Sequence, residues 1–137
     1  RRGSLSAVIT LQGVQGHSAY PERALNPLPI VAKLVSRITD HELDQGTDYF
    51  DPSTLTITSI DTRNTATNVI PESCEVMLNI RFNDSHSSRT LINWLETEAQ
   101  KIEHESRVKV SIKAKVSGES FITEPGALSN LTSSAIK

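Results

Sequence analysis

The sequence predicts an α+β fold of two layers, a four-stranded sheet covered on one face by two helices. Three observations carry that prediction. Four segments alternate apolar and polar residues with the period of two that a half-buried strand requires. Two others repeat apolar residues at helical spacing. The six follow one another as strand, helix, strand, strand, helix, strand, which is the split βαβ order of ferredoxin-like βαββαβ domains with an antiparallel sheet. Residues 1–117 are assigned to this domain and residues 118–137 to a tail leading out of it.

The first strand is read from Leu5 to Gln12, with Leu5, Ala7, Ile9 and Leu11 on one side and Ser6, Val8, Thr10 and Gln12 on the other. Asn26-Pro27 supplies a cap and a proline for a helix start, and Ile30, Val31, Leu34, Val35 and Ile38 make one stripe over a helix of about 27–39. A polar loop over 41–53 leads to a β-branched strand at 54–60. After a long excursion over 61–71, the third strand over 73–82 turns Cys74, Val76, Leu78, Ile80 and Phe82 inward. Glu75, Met77, Asn79 and Arg81 face outward. Leu91, Leu95, Ala99 and Ile102 then mark a second helix, to about His104. Val108 to Val116 alternates with Lys109, Ser111, Lys113 and Lys115 as the fourth strand. One sheet face is left to water, and at least one edge strand is left unpaired.

Composition narrows the function. A hydrophobic fraction of 36% with few aromatics implies an aliphatic core, and a net charge of -2 without long runs of either sign argues against nucleic acid and anionic membrane as partners. No apolar run reaches membrane-spanning length, and the single Cys74 cannot form an internal disulfide, so the chain reads as cytoplasmic. It opens on Arg1-Arg2-Gly3-Ser4 without methionine, and 128–137 looks like a helix cut short, as expected for a piece of a longer protein.

The stretch Gly13 to Pro21, GVQGHSAYP, presents His17 in a loop whose two glycines can take positive φ. Elsewhere the chemistry is sparse. His17, His41, His86 and His104 show no two-, three- or four-residue spacing that would place two ligands on one face, and His41 with Asp44 comes nearest. Cys74 points into the core, and neither a nucleophile elbow nor a phosphate loop is present. An RNA-binding module of this topology stacks bases on aromatics of the open sheet face, and that face offers none. A small-molecule-sensing module is the other alternative and needs a pocket of its own.

Arg1-Arg2-Gly3-Ser4, GVQGHSAYPERALNP from Gly13 to Pro27, TNVIP from Thr67 to Pro71 and NIRF from Asn79 to Phe82 together resemble the inserted domain of the zinc-dependent deacylase and carboxypeptidase family. The likeness covers nearly the whole chain. Asp44 to Phe50 and the Thr-rich second strand are most similar to the branch that hydrolyses N-succinyl-diaminopimelate to succinate and diaminopimelate. Another deacylase or carboxypeptidase of the family, such as one acting on acetylornithine, is the alternative. The resemblance implies a homodimer formed through this domain, an N-acyl amino acid as substrate, and two zinc ions held in a separate catalytic domain, with no metal ligand here. It also implies roles for residues. His17 would reach the partner subunit's active site and polarise the scissile carbonyl, Asn68 would contact substrate, and Arg81 would bind a substrate carboxylate. Arg1 and Ser4 match positions that contact the substrate's distal end, with Tyr20 close by. Thr67 departs from the pattern, where a second asparagine is frequent.

Overall fold

The computed structural model describes residues 2–119. Its elements are β1 (Gly3–Gln12), β2 (Gly16–His17), a 3-10 turn (Pro21–Arg23), α1 (Leu28–Asp40), β3 (Thr54–Asp61), β4 (Val69–Ile70), β5 (Ser73–Phe82), α2 (Ser88–Ser106) and β6 (Lys109–Gly118). Four long strands form one sheet in the order β3-β5-β1-β6, every neighbouring pair antiparallel. This is the expected ferredoxin-like topology.

The alternation read from sequence builds the core. Leu5, Ile9 and Leu11 of β1 and Val76, Ile80 and Phe82 of β5 are almost wholly buried, with Val31, Leu34 and Ile38 of α1 and Leu91, Leu95 and Ile102 of α2 packed over them. The other face carries Ser6, Thr10, Glu75, Met77, Asn79 and Arg81. A one-residue slip of register would exchange the two sets. Arg37 of α1 reaches Glu105 of α2 at 3.3 Å and Glu98 at 3.9 Å across the helix seam.

Element ends differ from expectation in physically specific ways. β1 begins two residues earlier, because Gly3 pairs with Phe82. α1 starts at Leu28 with Pro27 as the boundary residue, yet Asn26 still caps: its Oδ1 accepts the Leu28 N–H at 3.0 Å. α2 opens on Ser87, whose hydroxyl accepts from the Thr90 N–H while Thr90 reaches back to the Ser87 N–H. It continues two residues past His104 and stops where Arg107 turns left-handed at φ 69°. The excursion over 61–71 contains β4, which pairs with β2 in a separate two-stranded ribbon. Residues 120–137, most of the assigned tail, lie outside the described residues, as does Arg1.

The polar loop after α1 is tied down by one carboxylate. Asp44 Oδ1 accepts from the Gly46 N–H at 2.9 Å, the Ser53 N–H at 3.1 Å and the Asn83 amide at 2.8 Å. Asn83, fully buried, also donates to the Asp51 carbonyl, and its own N–H is taken by the Ser53 hydroxyl. The sequence pairs Asp44 with His41, but His41 stacks on Trp94 at 4.8 Å and the imidazole beside Asp44 is His86. His86 Nε2 lies 2.9 Å from Asp44 Oδ2 and 3.1 Å from the Leu43 carbonyl. Its alignment favours the carbonyl, and Asp44 Oδ2 is left without a formed hydrogen bond. Burial alone would raise the Asp44 pKa, but the bonds from Ser53, Asn83 and Gly46 outweigh it and hold the carboxyl well below its ordinary value of 3.8.

A depressed folded-state pKa adds stability that is complete above the unfolded value and is lost as pH falls below it. Asp44→Asn is therefore expected to destabilise the domain at neutral pH and to flatten the loss of stability below about pH 4. Urea midpoints at pH 7 and pH 3 for both proteins check this. Parallel curves would refute it.

Candidate functional site

The two short strands explain how His17 is presented. Gly16 pairs with Ile70 and His17 with Val69, while the Ser18 N–H donates to the Asn68 carbonyl at 3.0 Å and the Gly13 N–H to the Glu72 carbonyl at 2.7 Å. On the other side Val14 and Leu25 exchange backbone hydrogen bonds at 2.8 and 3.0 Å. The loop is thus pinned along both flanks. Its glycines serve close approach rather than positive φ, which among the described glycines only Gly46 adopts, at 97°. A Cβ on Gly13 would collide with the Leu25 carbonyl oxygen, and one on Gly16 would lie 2.6 Å from the Ala24 Cβ.

His17 itself is exposed. The Ala19 N–H donates to its Nδ1 at 3.0 Å, which makes Nδ1 an acceptor and leaves Nε2 with the proton in the neutral ring. Nε2 has no partner among the described residues. Tyr20, half exposed at 51%, stands with its ring centroid 6.4 Å from the imidazole, and the Arg23 guanidinium covers the tyrosine ring at 4.7 Å. Asn68 is exposed beside this group, its carbonyl occupied by Ser18. The structure therefore brings together His17, Tyr20 and Asn68, residues as far apart as 51 positions in the chain.

Arg81 and Ser4 sit elsewhere. They face each other across the β1–β5 pair, with Thr54 of β3 on the far side of Arg81. Nearby, Arg2 donates to the Pro52 carbonyl at 3.1 Å. β1 separates the two groups: Ser4 is near its start, and the His17 loop follows Gln12 at its end. Eight residue steps of extended chain put these ends roughly 27 Å apart.

The sequence reading missed two things. The ribbon between His17 and Asn68 has no periodicity to betray it, since each strand is two residues long. The second is Asn79, whose Oδ1 accepts from Arg81 Nε at 3.0 Å. Its signal was available, because residues two apart on one strand share a face. Cys74 is buried, and burial pushes its thiol up from its ordinary value, as for an inert core residue.

Residues 1–107 match the family model of the peptidase dimerisation domain. The chain belongs to that family. Over all 137 residues it is 57% identical to a succinyl-diaminopimelate desuccinylase of Ruegeria pomeroyi and 56% identical to one of Cereibacter sphaeroides. Each match takes in the whole chain and 36% of the relative, so the chain spans about a third of the length of the curated relatives it matches. Among solved structures, a tripeptidase from Staphylococcus aureus superposes with a TM-score of 0.68 at 16% identity, over 92% of this chain and 32% of that one. An aminopeptidase from Bacillus cereus gives 0.69 at 15%, over 89% and 32%. These likenesses show the fold.

The hydrogen bond from Ala19 makes a prediction about this dimerisation domain. Long-range proton–nitrogen correlation spectra of the neutral His17 ring are expected to show an unprotonated Nδ1 and a protonated Nε2. The opposite tautomer would mean that the loop is not held as described.

Proposed function

We propose that this chain is the dimerisation and lid domain of a cytoplasmic zinc-dependent amide hydrolase, a succinyl-diaminopimelate desuccinylase of diaminopimelate and lysine biosynthesis. The reaction is hydrolysis of N-succinyl-diaminopimelate to succinate and diaminopimelate. The names of the relatives matched over the whole chain support the substrate. The observation that carries the mechanism is the separation of two exposed polar groups by the length of β1. A small amide does not span that distance, so His17 and Arg81 of one chain serve two different active sites, and each site in a homodimer receives one group from each subunit.

In this reading the metal is held by a separate catalytic domain. Among the described residues no three His, Cys, Asp or Glu side chains come together as a metal site. The zinc ions, which would supply the activated water, belong with the part of the enzyme outside this chain. What this chain supplies is positioning and charge. His17 Nε2–H donates to the carbonyl oxygen as negative charge develops there, a bond that gains strength where water is excluded. Asn68 and Tyr20 flank it as polar contacts for the same substrate. Arg81 offers a planar fork suited to a carboxylate, with Ser4 at the same end; Arg1 keeps the substrate-contact role that the resemblance gives it.

Dimerisation uses one of two chemically different edges. β6 carries Lys109, Lys113 and Lys115 at its exposed positions, charges that discourage strand addition. β3 runs from Thr54 to Ile60 without a charge, and Ile60 is 53% exposed. α1 packs on the same side, with Leu28, Ile30 and Val35 only partly buried against the core. A twofold pairing of β3 with its copy, flanked by α1, joins two sheets into one.

In the full-length enzyme His17→Ala is expected to lower kcat by about a hundredfold or more with zinc content unchanged. Mixing those subunits with subunits inactivated in the catalytic domain should restore activity, because one mixed active site is complete. Absence of restoration in verified heterodimers would sink the cross-subunit reading. Ile60→Lys, at an exposed position, should raise the dimer dissociation constant by about tenfold or more in sedimentation equilibrium. An unchanged constant would move the interface away from β3.

A further inference from the structure

Asn79 is the half-buried polar residue at the centre of the open sheet face, and its three hydrogen bonds have a consequence for Arg81. Its Nδ2 donates to the Leu5 carbonyl at 3.3 Å and to the Ser6 hydroxyl at 3.2 Å, both on the neighbouring β1. Its Oδ1 accepts from Arg81 Nε at 3.0 Å. The amide cannot be turned over without cost. A carbonyl oxygen on one side requires a donor and an Nε–H on the other requires an acceptor, so the orientation is set by chemistry.

We propose that Asn79 is a positioning residue that holds the Arg81 guanidinium for a carboxylate ligand; this rests on the reading of Arg81 given above. A free arginine side chain loses rotamer freedom when a ligand fixes it. Here part of that ordering is already made, because a bond to Nε anchors the group from its inner edge. The two terminal nitrogens, which have no partner among the described residues, remain as an end-on pair for two carboxylate oxygens. The cross-strand register supports the aim. Arg81 lies between Ser4 and Thr54, whose hydroxyls neither repel nor neutralise an anion, and the acidic residues of this face, Glu75 and Asp61, are paired at the opposite end of the strands. Lys115 stands opposite Ser6 on β6, in the same row as Asn79, and adds positive charge at this end. The site is thus suited to a carboxylate ligand.

The experiment is a double-mutant cycle in the full-length zinc-loaded enzyme, using Asn79→Val, a substitution suited to a strand, and Arg81→Lys, which has no Nε–H at that position. Asn79→Thr stands in if the valine variant does not fold. Expected are a KM raised about tenfold by Asn79→Val with kcat within about twofold, since a contact equal in ground and transition states acts on KM. In the Arg81→Lys background the same change should have almost no effect, because the bond it removes is already gone. If Arg81→Lys raises KM while Asn79→Val is without effect or adds its full loss in both backgrounds, the positioning role is refuted and the Arg81 reading stands. If Arg81→Lys leaves KM unchanged, the Arg81 reading fails and this inference with it.

Discussion

β1 is paired on both sides, with β5 from Gly3 to Gln12 and with β6 from Ser4 to Gln12, the latter with one irregularity between Ser4 and Leu5. That double pairing is the constraint from which the rest takes its position. Leu5, Ile9 and Leu11 are at most 1% exposed, and each such side chain favours burial by roughly 2 kcal/mol or more. Moving β1 by one residue would expose all of them together. The register that satisfies the core therefore also decides which side chains stand side by side in water. Ser4 beside Arg81 and Ser6 beside Asn79 are by-products of where leucine and isoleucine must go.

The two ends of β1 then acquire different characters by different means. At its start the arrangement is made of side chains on a regular sheet, so precision comes from the ladder itself. Past its end the chain leaves the sheet, and precision has to be rebuilt locally with a two-stranded ribbon, a bridge to Leu25 and two glycines that admit close packing. Such backbone clamps are inexpensive in sequence, since most residues can supply an N–H and a carbonyl. Only the glycines and the imidazole are restricted in type.

That difference explains what could be read from the chain. The four long strands and both helices were legible because burial on one face imposes a period, and Val108 to Val116 shows it plainly. Asn26 was legible as a cap even though α1 begins one residue later than expected, since the capping bond reaches Leu28 regardless of where the helix is counted from. β2 and β4 were not, because two residues carry no period. Nor was the Asp44 hub, where partners 39 positions apart meet in a polar loop. Positive φ was expected at the wrong glycines: Gly13 and Gly16 are small for want of space, and among the described glycines it is Gly46 that has positive φ. The residue pattern of the histidine loop was visible, but its partner Asn68 came from family resemblance and not from any physical signal.

In the proposed enzyme this domain makes catalysis conditional on assembly. A histidine exposed to solvent competes with water for every acceptor, and a neutral hydrogen bond there is worth about 1 kcal/mol. The same N–H facing a carbonyl in a site closed by another subunit acts where the effective dielectric is low, and its preference for the developing oxyanion over the ground state grows accordingly. The clamps around His17 matter for that reason. A loop that had to be ordered during closure would spend much of this advantage on its own conformational entropy, about 1–2 kcal/mol for each residue fixed. Pinned on both flanks by backbone hydrogen bonds before any partner arrives, it loses little more when the site forms. In that reading the dimer gains a hydrogen-bond donor without either subunit changing its fold.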